Sequence, residues 1–257
     1  MTLLVGVLCS DGVIIGADSA FTMGVLGQQT VSQSALKIEV VEGRALIATS
    51  GPVGLGQRLA GTFGDVLREN RIPTSLKSYK AMGVLREAFR EPIESELKAA
   101  AIAQGVIGSA AFSSALSATL LAMSVNGRPA LYQFDQQGAP EEATAKIPFV
   151  CLGSGQTIAD PFMAFLRGIF WEPDTLPTIN EGLFATVWTL SQAIDVSPGG
   201  LGRPIRVFTL CQEGPRCEAR QVEDSELEEL KQAVDGARDS LKHYRTVDPN
   251  VQAPPDA

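Results

Sequence analysis

Two apolar runs, residues 2–9 and 13–17, are separated only by Ser10-Asp11-Gly12. Runs of this length read as strands, and Asp-Gly between them predicts a hairpin because both residues tolerate positive φ. A polar, uncharged segment from Gly27 to Ser34 then leads to LKIEVV (36–41), the turn Glu42-Gly43-Arg44 and ALIAT (45–49), a second hairpin. Four strands are therefore expected before any helix. From Val53 to Glu69 the apolar residues Leu55, Leu59, Phe63, Val66 and Leu67 recur at helical spacing, and Ser75 to Ala101 predicts a second amphipathic helix, kinked at Pro92.

The pattern then repeats. Strands are expected near 115–125, 130–135 and 148–152, with Asn126-Gly127 as a turn, followed by helices at 156–170 and 179–194. Strands at 204–211 and 217–222 precede a last helix over 225–244, striped by Leu227, Leu230, Val234, Ala237 and Leu241 and opened by a Ser225–Glu228 capping box. Strands that come as hairpins, rather than singly between helices, predict an α+β fold of two mainly antiparallel sheets packed together and flanked by helices. No linker divides the chain, so residues 2–245 read as one domain that includes the C-terminal helix 225–244. The tail 246–257, with three prolines, predicts disorder.

Composition narrows the function classes. Hydrophobic residues make up 45% and charged residues 19%, as in an ordinary globular protein. The formal charge of −8 disfavours nucleic acid and anionic membranes as partners. The opening MTLLVGVLCSDG has no basic residue ahead of its apolar run, so it does not read as a signal peptide. The uncharged stretch Ala99 to Gly127 reads as a buried helix end and a core strand rather than a membrane span. Cys9, Cys151, Cys211 and Cys217 lack zinc-pair spacing, and a cytoplasmic, reducing location is expected. The single histidine, His243, falls on a solvated helix end. GPVGLGQRLAG (51–61) fits neither a dinucleotide fingerprint nor a P-loop, and SPGGLGRP (197–204) reads as a tight loop with no helix behind it. No cofactor and no metal are expected.

Hydrolysis, if present, must then use a base other than histidine. Thr2 follows a methionine that cells trim before small residues, and trimming would expose an α-amine with an ordinary pKa of about 7.7 to 8.0. Such an amine is a base within reach of its own residue's hydroxyl.

In this setting the chain resembles the proteasome β-type N-terminal-nucleophile hydrolases, HslV and bacterial proteasome homologues among them. Thr2-Leu-Leu-Val-Gly-Val followed by Asp11-Gly-Val-Ile-Ile-Gly-Ala-Asp18-Ser19 is similar to the family's opening hairpin, with Asp18 sixteen positions after Thr2. Ser34-Ala-Leu-Lys37-Ile resembles its lysine segment and Ala48-Thr-Ser-Gly51 its glycine segment, fourteen residues on. Leu152-Gly-Ser154-Gly and Asp195-Val-Ser197-Pro-Gly199-Gly resemble the later motifs G-S-G and D-x-x-S-G-G. Ala20 stands where many members have arginine, and Pro198 falls where the motif's serine would be, with Ser197 one position early.

The resemblance implies a four-layer αββα sandwich, the N-terminal-nucleophile hydrolase fold, and a catalytic set of Thr2, Asp18, Lys37, Gly51, Ser154, Asp195 and Ser197. Thr2 would be the nucleophile, Lys37 would lower proton affinities beside it, Asp18 would hold Lys37, and the Gly51 N–H would stabilise an oxyanion. Ser154 and the Asp195–Ser197 segment would orient the terminal amine. Thr22 and Gly51 would hold an extended substrate, and Phe21, Ala35, Thr49 and Val53 would line a modest apolar first pocket with no charge selector. The implied activity is that of a threonine endopeptidase acting on peptides or unfolded protein through an acyl-enzyme. The implied assembly is a homo-oligomeric ring or stack, with an AAA+ ATPase unfoldase as a conceivable partner. Methionine removal alone would mature the chain. Two rival readings share these residues: a catalytically silent structural subunit like the family's α-type members, and an amidohydrolase of a small-molecule amide.

Overall fold

The computed structural model describes residues 2–25, 28–34, 36–107, 115–197, 200–213 and 216–243, with backbone alone at 21–25, 28–34, 106–107 and 216. The tail 246–257, Ala35 and Pro198 lie outside the described residues.

Two five-stranded antiparallel sheets form the centre. The first has the order β10-β1-β2-β11-β12, built from β1 (Leu4–Leu8), β2 (Gly12–Ala17), β10 (Phe149–Leu152), β11 (Arg206–Glu213) and β12 (Arg216–Gln221). The second runs β5-β6-β7-β8-β9, from β5 (Ile38–Val41), β6 (Ala45–Ser50), β7 (Ala118–Val125), β8 (Arg128–Phe134) and β9 (Pro140–Glu142). Helices α1 (Val53–Arg68) and α2 (Ser78–Ile107) cover the second sheet; α3 (Gln156–Phe170), α4 (Ile179–Val196) and α5 (Asp224–His243) cover the first. The layers are thus αββα, as expected.

Three apolar cores hold these layers together, and strand alternation explains how. On β1, Val5 and Val7 face Met163, Leu166 and Trp188 of the helices, whereas Leu4 and Leu8 face Leu120 and Leu131 of the other sheet. On β7, Leu121 and Met123 meet Leu59, Phe63 and Phe89 under α1 and α2, while Leu120 and Ala122 point between the sheets. A strand buried on both faces reads as an unbroken apolar run, which is why β1 and β7 stand out in the sequence. Each such Leu, Val or Ile contributes roughly 1.5–3 kcal/mol by leaving water.

Several expectations need correction. Among the described residues six strands, not four, precede the first helix: β3 (Ala20–Val25) and β4 (Gln28–Ser34) form a separate two-stranded hairpin, β4 lying in the segment read as a polar connection. β4 is mostly polar, whereas β3 carries a short alternation of Phe21, Met23 and Val25 that the expected strands leave out. Neither Asp11 nor Gly12 takes positive φ. Asp11 instead accepts the Ile179 N–H at 2.9 Å, satisfying a donor at the start of α4. Helix α2 begins at Ser78, runs through Pro92 and ends at Ile107. The Ser225–Glu228 box is replaced by the Glu226 carboxylate, which accepts from the Glu223 N–H at 3.1 Å. A full capping box occurs at Thr178–Glu181, before α4. Among the described residues no helix is long and apolar enough to cross a membrane.

Candidate active site

The position of β1 between two partners decides what surrounds Thr2. Leu4 is paired with Leu152 of β10 on one side and with Ala17 of β2 on the other. One step beyond these pairs, the chain turns at Gly153-Ser154 and at Asp18, so both arrive beside Thr2 and Leu3. The Thr2 N–H donates to Ser154 Oγ at 3.1 Å, and the Gly155 N–H donates to the Thr2 carbonyl at 3.2 Å. Gly153 has φ +95, and a Cβ there would run into the Thr2 carbonyl. Only glycine lets the β10 turn approach the strand end this closely.

Asp18 is buried, and its carboxylate collects four donors. Oδ1 accepts from the Leu3 N–H at 2.8 Å and from Lys37 Nζ at 2.6 Å; Oδ2 accepts from the Ala20 N–H at 3.0 Å and the Gly202 N–H at 3.2 Å. A carboxylate so bonded is fixed in orientation and anchors the lysine beside the start of β1. Burial pushes the Lys37 amine below its ordinary value of 10.5, while the charge and hydrogen bond of Asp18 pull it back up.

The second sheet supplies the other wall. Lys37 immediately precedes β5 and Gly51 immediately follows β6; the β5–β6 register, Ile38 with Ala48, brings both to the same open end. Gly51 has φ +136, and a Cβ would lie 2.7 Å from the Leu116 carbonyl, so the loop that presents it demands glycine. Thr2, Lys37, Gly51, Thr49 and Val53 line one cleft of about 190 Å³. Thr49 also reaches Thr119 Oγ1 at 3.5 Å.

Of the residues expected to line a modest apolar first pocket, Thr49 and Val53 line this cleft, and Glu39 and Gln57 line it too. Side-chain alternation along β5 puts Glu39 on the same face as Lys37, and this is the signal that could have found it. Phe21 and Thr22 lie on β3, opposite Gln33 and Ser32, with their side chains outside the described residues.

Asp195 is placed elsewhere than at Thr2. It ends α4 half exposed, with Arg203 at 3.0 Å and Arg238 of α5 at 3.8 Å. Ser197 caps the same helix, its N–H bonded to the Ala193 carbonyl and its carbonyl to the Gly200 N–H. The Gly202 N–H on Asp18 was not anticipated; the glycine cluster at 197–204 was its visible trace. The four cysteines are free thiols, three of them buried. Among the described residues no group of three or more His, Cys, Asp or Glu side chains is arranged to hold a metal ion.

Comparison with known proteins places this arrangement. The family model for proteasome subunits matches residues 2–166. No curated protein sequence matches significantly. Among solved structures, Anbu (ancestral beta-subunit) from Yersinia bercovieri superposes with a TM-score of 0.69 at 15% identity, covering 98% of this chain and 100% of that one. The helical assembly of the Anbu complex from Pseudomonas aeruginosa gives 0.67 at 17%, covering 99% and 98%. An Anbu (Gly-1) mutant from Hyphomicrobium sp. strain MC1 gives 0.68 at 16%, covering 98% and 100%. These likenesses establish the proteasome-like N-terminal-nucleophile fold. The family match, which extends from the Thr2 strand to α3, makes the chain a member of the proteasome subunit family.

Proposed function

We propose that the protein is a threonine peptidase whose nucleophile is Thr2, exposed as the first residue once Met1 is removed. The observation that carries this reading is the convergence on Thr2 of Ser154 at 3.1 Å and of Lys37, which lines the same cleft and is held by buried Asp18. In this reading the free α-amine takes the proton of Thr2 Oγ as the oxygen attacks a peptide carbonyl carbon. The tetrahedral oxyanion is stabilised by the Gly51 N–H, and the Lys37 charge favours the deprotonated forms of hydroxyl and amine. The C–N bond breaks, the proton passes from the α-amine to the leaving amine, and an ester on Thr2 remains. Water then adds to the ester, giving its proton to the α-amine, and the carboxylic acid leaves as Thr2 Oγ is reprotonated. Ser154 orients the amine throughout.

By analogy with the helical assembly of the Pseudomonas aeruginosa relative, the subunit works as a cytoplasmic homo-oligomer that sequesters its sites. An ATP-driven unfoldase is a partner compatible with that architecture. The test is peptide hydrolysis by the assembled protein and by its Thr2→Ala variant. Loss of turnover in the variant supports the reading; full retention contradicts it. A monomer by light scattering at all concentrations contradicts the assembly.

A further inference from the structure

The cleft beside Thr2 carries a charge that no ion pair among the described residues neutralises. Its floor is the face of β5 and β6 bearing Lys37, Glu39, Ile47 and Thr49, and its far wall is the first turns of α1, with Val53 and Gln57. Two of these groups are charged. Lys37 is met by Asp18 at 2.6 Å. Glu39 is exposed on the cleft and has no ion-pair partner among the described residues. The nearest cation along α1, Arg58, is drawn off to Glu91 and Glu96 of α2 at 3.3 and 3.2 Å. Gln57 adds a side-chain carbonyl, a second acceptor on the opposite wall.

We propose that Glu39 selects lysine or arginine in the residue that donates its carbonyl to Thr2, the inference resting on the peptidase reading above. The chemistry matches along the length of such a side chain. Its methylene stem lies against Ile47 and Val53, and its cationic head reaches Glu39 with Gln57 as a further acceptor. An acidic side chain placed there meets an uncompensated carboxylate, and an aliphatic one leaves Glu39 facing apolar surface without gain. A charge pair in a cleft open to water is partly screened, so the preference is moderate, about tenfold, and shrinks with salt.

The experiment uses the assembled protein and a matched set of peptides that differ only in the residue before the cleaved bond: arginine, lysine, leucine or glutamate. The reading is the ratio of kcat/KM values, which does not depend on the fraction of active sites in a preparation. The wild type is expected to favour arginine and lysine over leucine by about tenfold and over glutamate by more. Glu39→Gln lowers the arginine-to-leucine ratio about tenfold, and Glu39→Lys inverts the arginine-to-glutamate ratio. Thr2-dependent cleavage with leucine or glutamate preferred, or an unchanged ratio in Glu39→Gln, overturns the selector while leaving the peptidase standing. Failure to cleave any peptide, together with failure of a peptide epoxyketone to modify Thr2, overturns both.

Discussion

Lys37 Nζ stands 2.6 Å from Asp18 Oδ1, with the two side chains only 7% and 0% exposed. The same oxygen accepts the Leu3 N–H, so one carboxylate ties the lysine to the backbone between Thr2 and β1. Its other oxygen ties in the Ala20 and Gly202 N–H groups. A charged group this deep costs little only while its partner is present.

Removing Asp18 should therefore be expensive. Asp18→Ala leaves Lys37 charged and buried, with a loss of about 3–5 kcal/mol, which thermal denaturation would register as a fall of roughly 6–20 °C in Tm. Adding Lys37→Met removes the buried charge, and the double variant should recover part of that loss. Both variants should lack peptidase activity.

The lowered pKa of Lys37 has a sign that can be checked. The unfolded chain holds this proton up to 10.5, whereas the folded chain releases it earlier. Between the folded value and 10.5 the unfolded state binds more protons, so the Lys37 contribution makes stability rise with pH across that window. Denaturant titrations of the wild type and of Lys37→Met, compared through this range, should show the extra positive slope only in the wild type. Peptidase activity should fall on the alkaline side below 10.5, where the Lys37 charge is lost.

Gly51→Ala should damage the fold and the site together. The backbone there has φ +136, and the added Cβ meets the Leu116 carbonyl at 2.7 Å and Ser117 Cβ at 2.7 Å. The strain is on the order of 1–3 kcal/mol, and relieving it moves the N–H assigned to the oxyanion. Equilibrium unfolding and kcat should both decline, with kcat falling by more than the loss of folded protein explains.

Ser154 and Asp195 should separate a direct contact from an indirect one. Ser154→Ala deletes the acceptor of the Thr2 N–H at 3.1 Å, and kcat should drop on the order of tenfold to a hundredfold. Asp195 pairs with Arg203, whose neighbour Gly202 donates to Asp18. Its ion pairs are half exposed, so Asp195→Ala should change stability by less than about 1 kcal/mol. It should lower kcat less than Ser154→Ala does, and Arg203→Ala should reproduce its effect.

How far the sequence could be read follows from where each signal resides. Strands β1 and β7 are buried on both faces and declare themselves as apolar runs, and the stripe of Leu55, Leu59 and Phe63 declares α1. The order and spacing of Thr2, Asp18, Lys37, Gly51 and Ser154 point to one site, and β1, β2, β5, β6 and β10 bring these residues to one end of the sandwich. The β3–β4 hairpin is only half legible: β3 alternates Phe21, Met23 and Val25, but its partner β4 is mostly polar and offers no apolar face to pair with it. The Gly202 bond to Asp18 arises where segments far apart in the chain meet, whereas Glu39 carries a local signal, the strand face that it shares with Lys37. Asp195 was read from a motif, yet Arg203 and Arg238 hold its side chain outside the cleft that Thr2 lines.

The most direct test of the account is intact-mass spectrometry of the purified assembled protein before and after treatment with a peptide epoxyketone. That reagent closes a ring through a threonine hydroxyl and the free amine of the same residue. The account predicts a chain lacking Met1 that gains a single adduct, with none on Thr2→Ala. A chain that has lost Met1 and still forms no adduct would contradict Thr2 as the nucleophile.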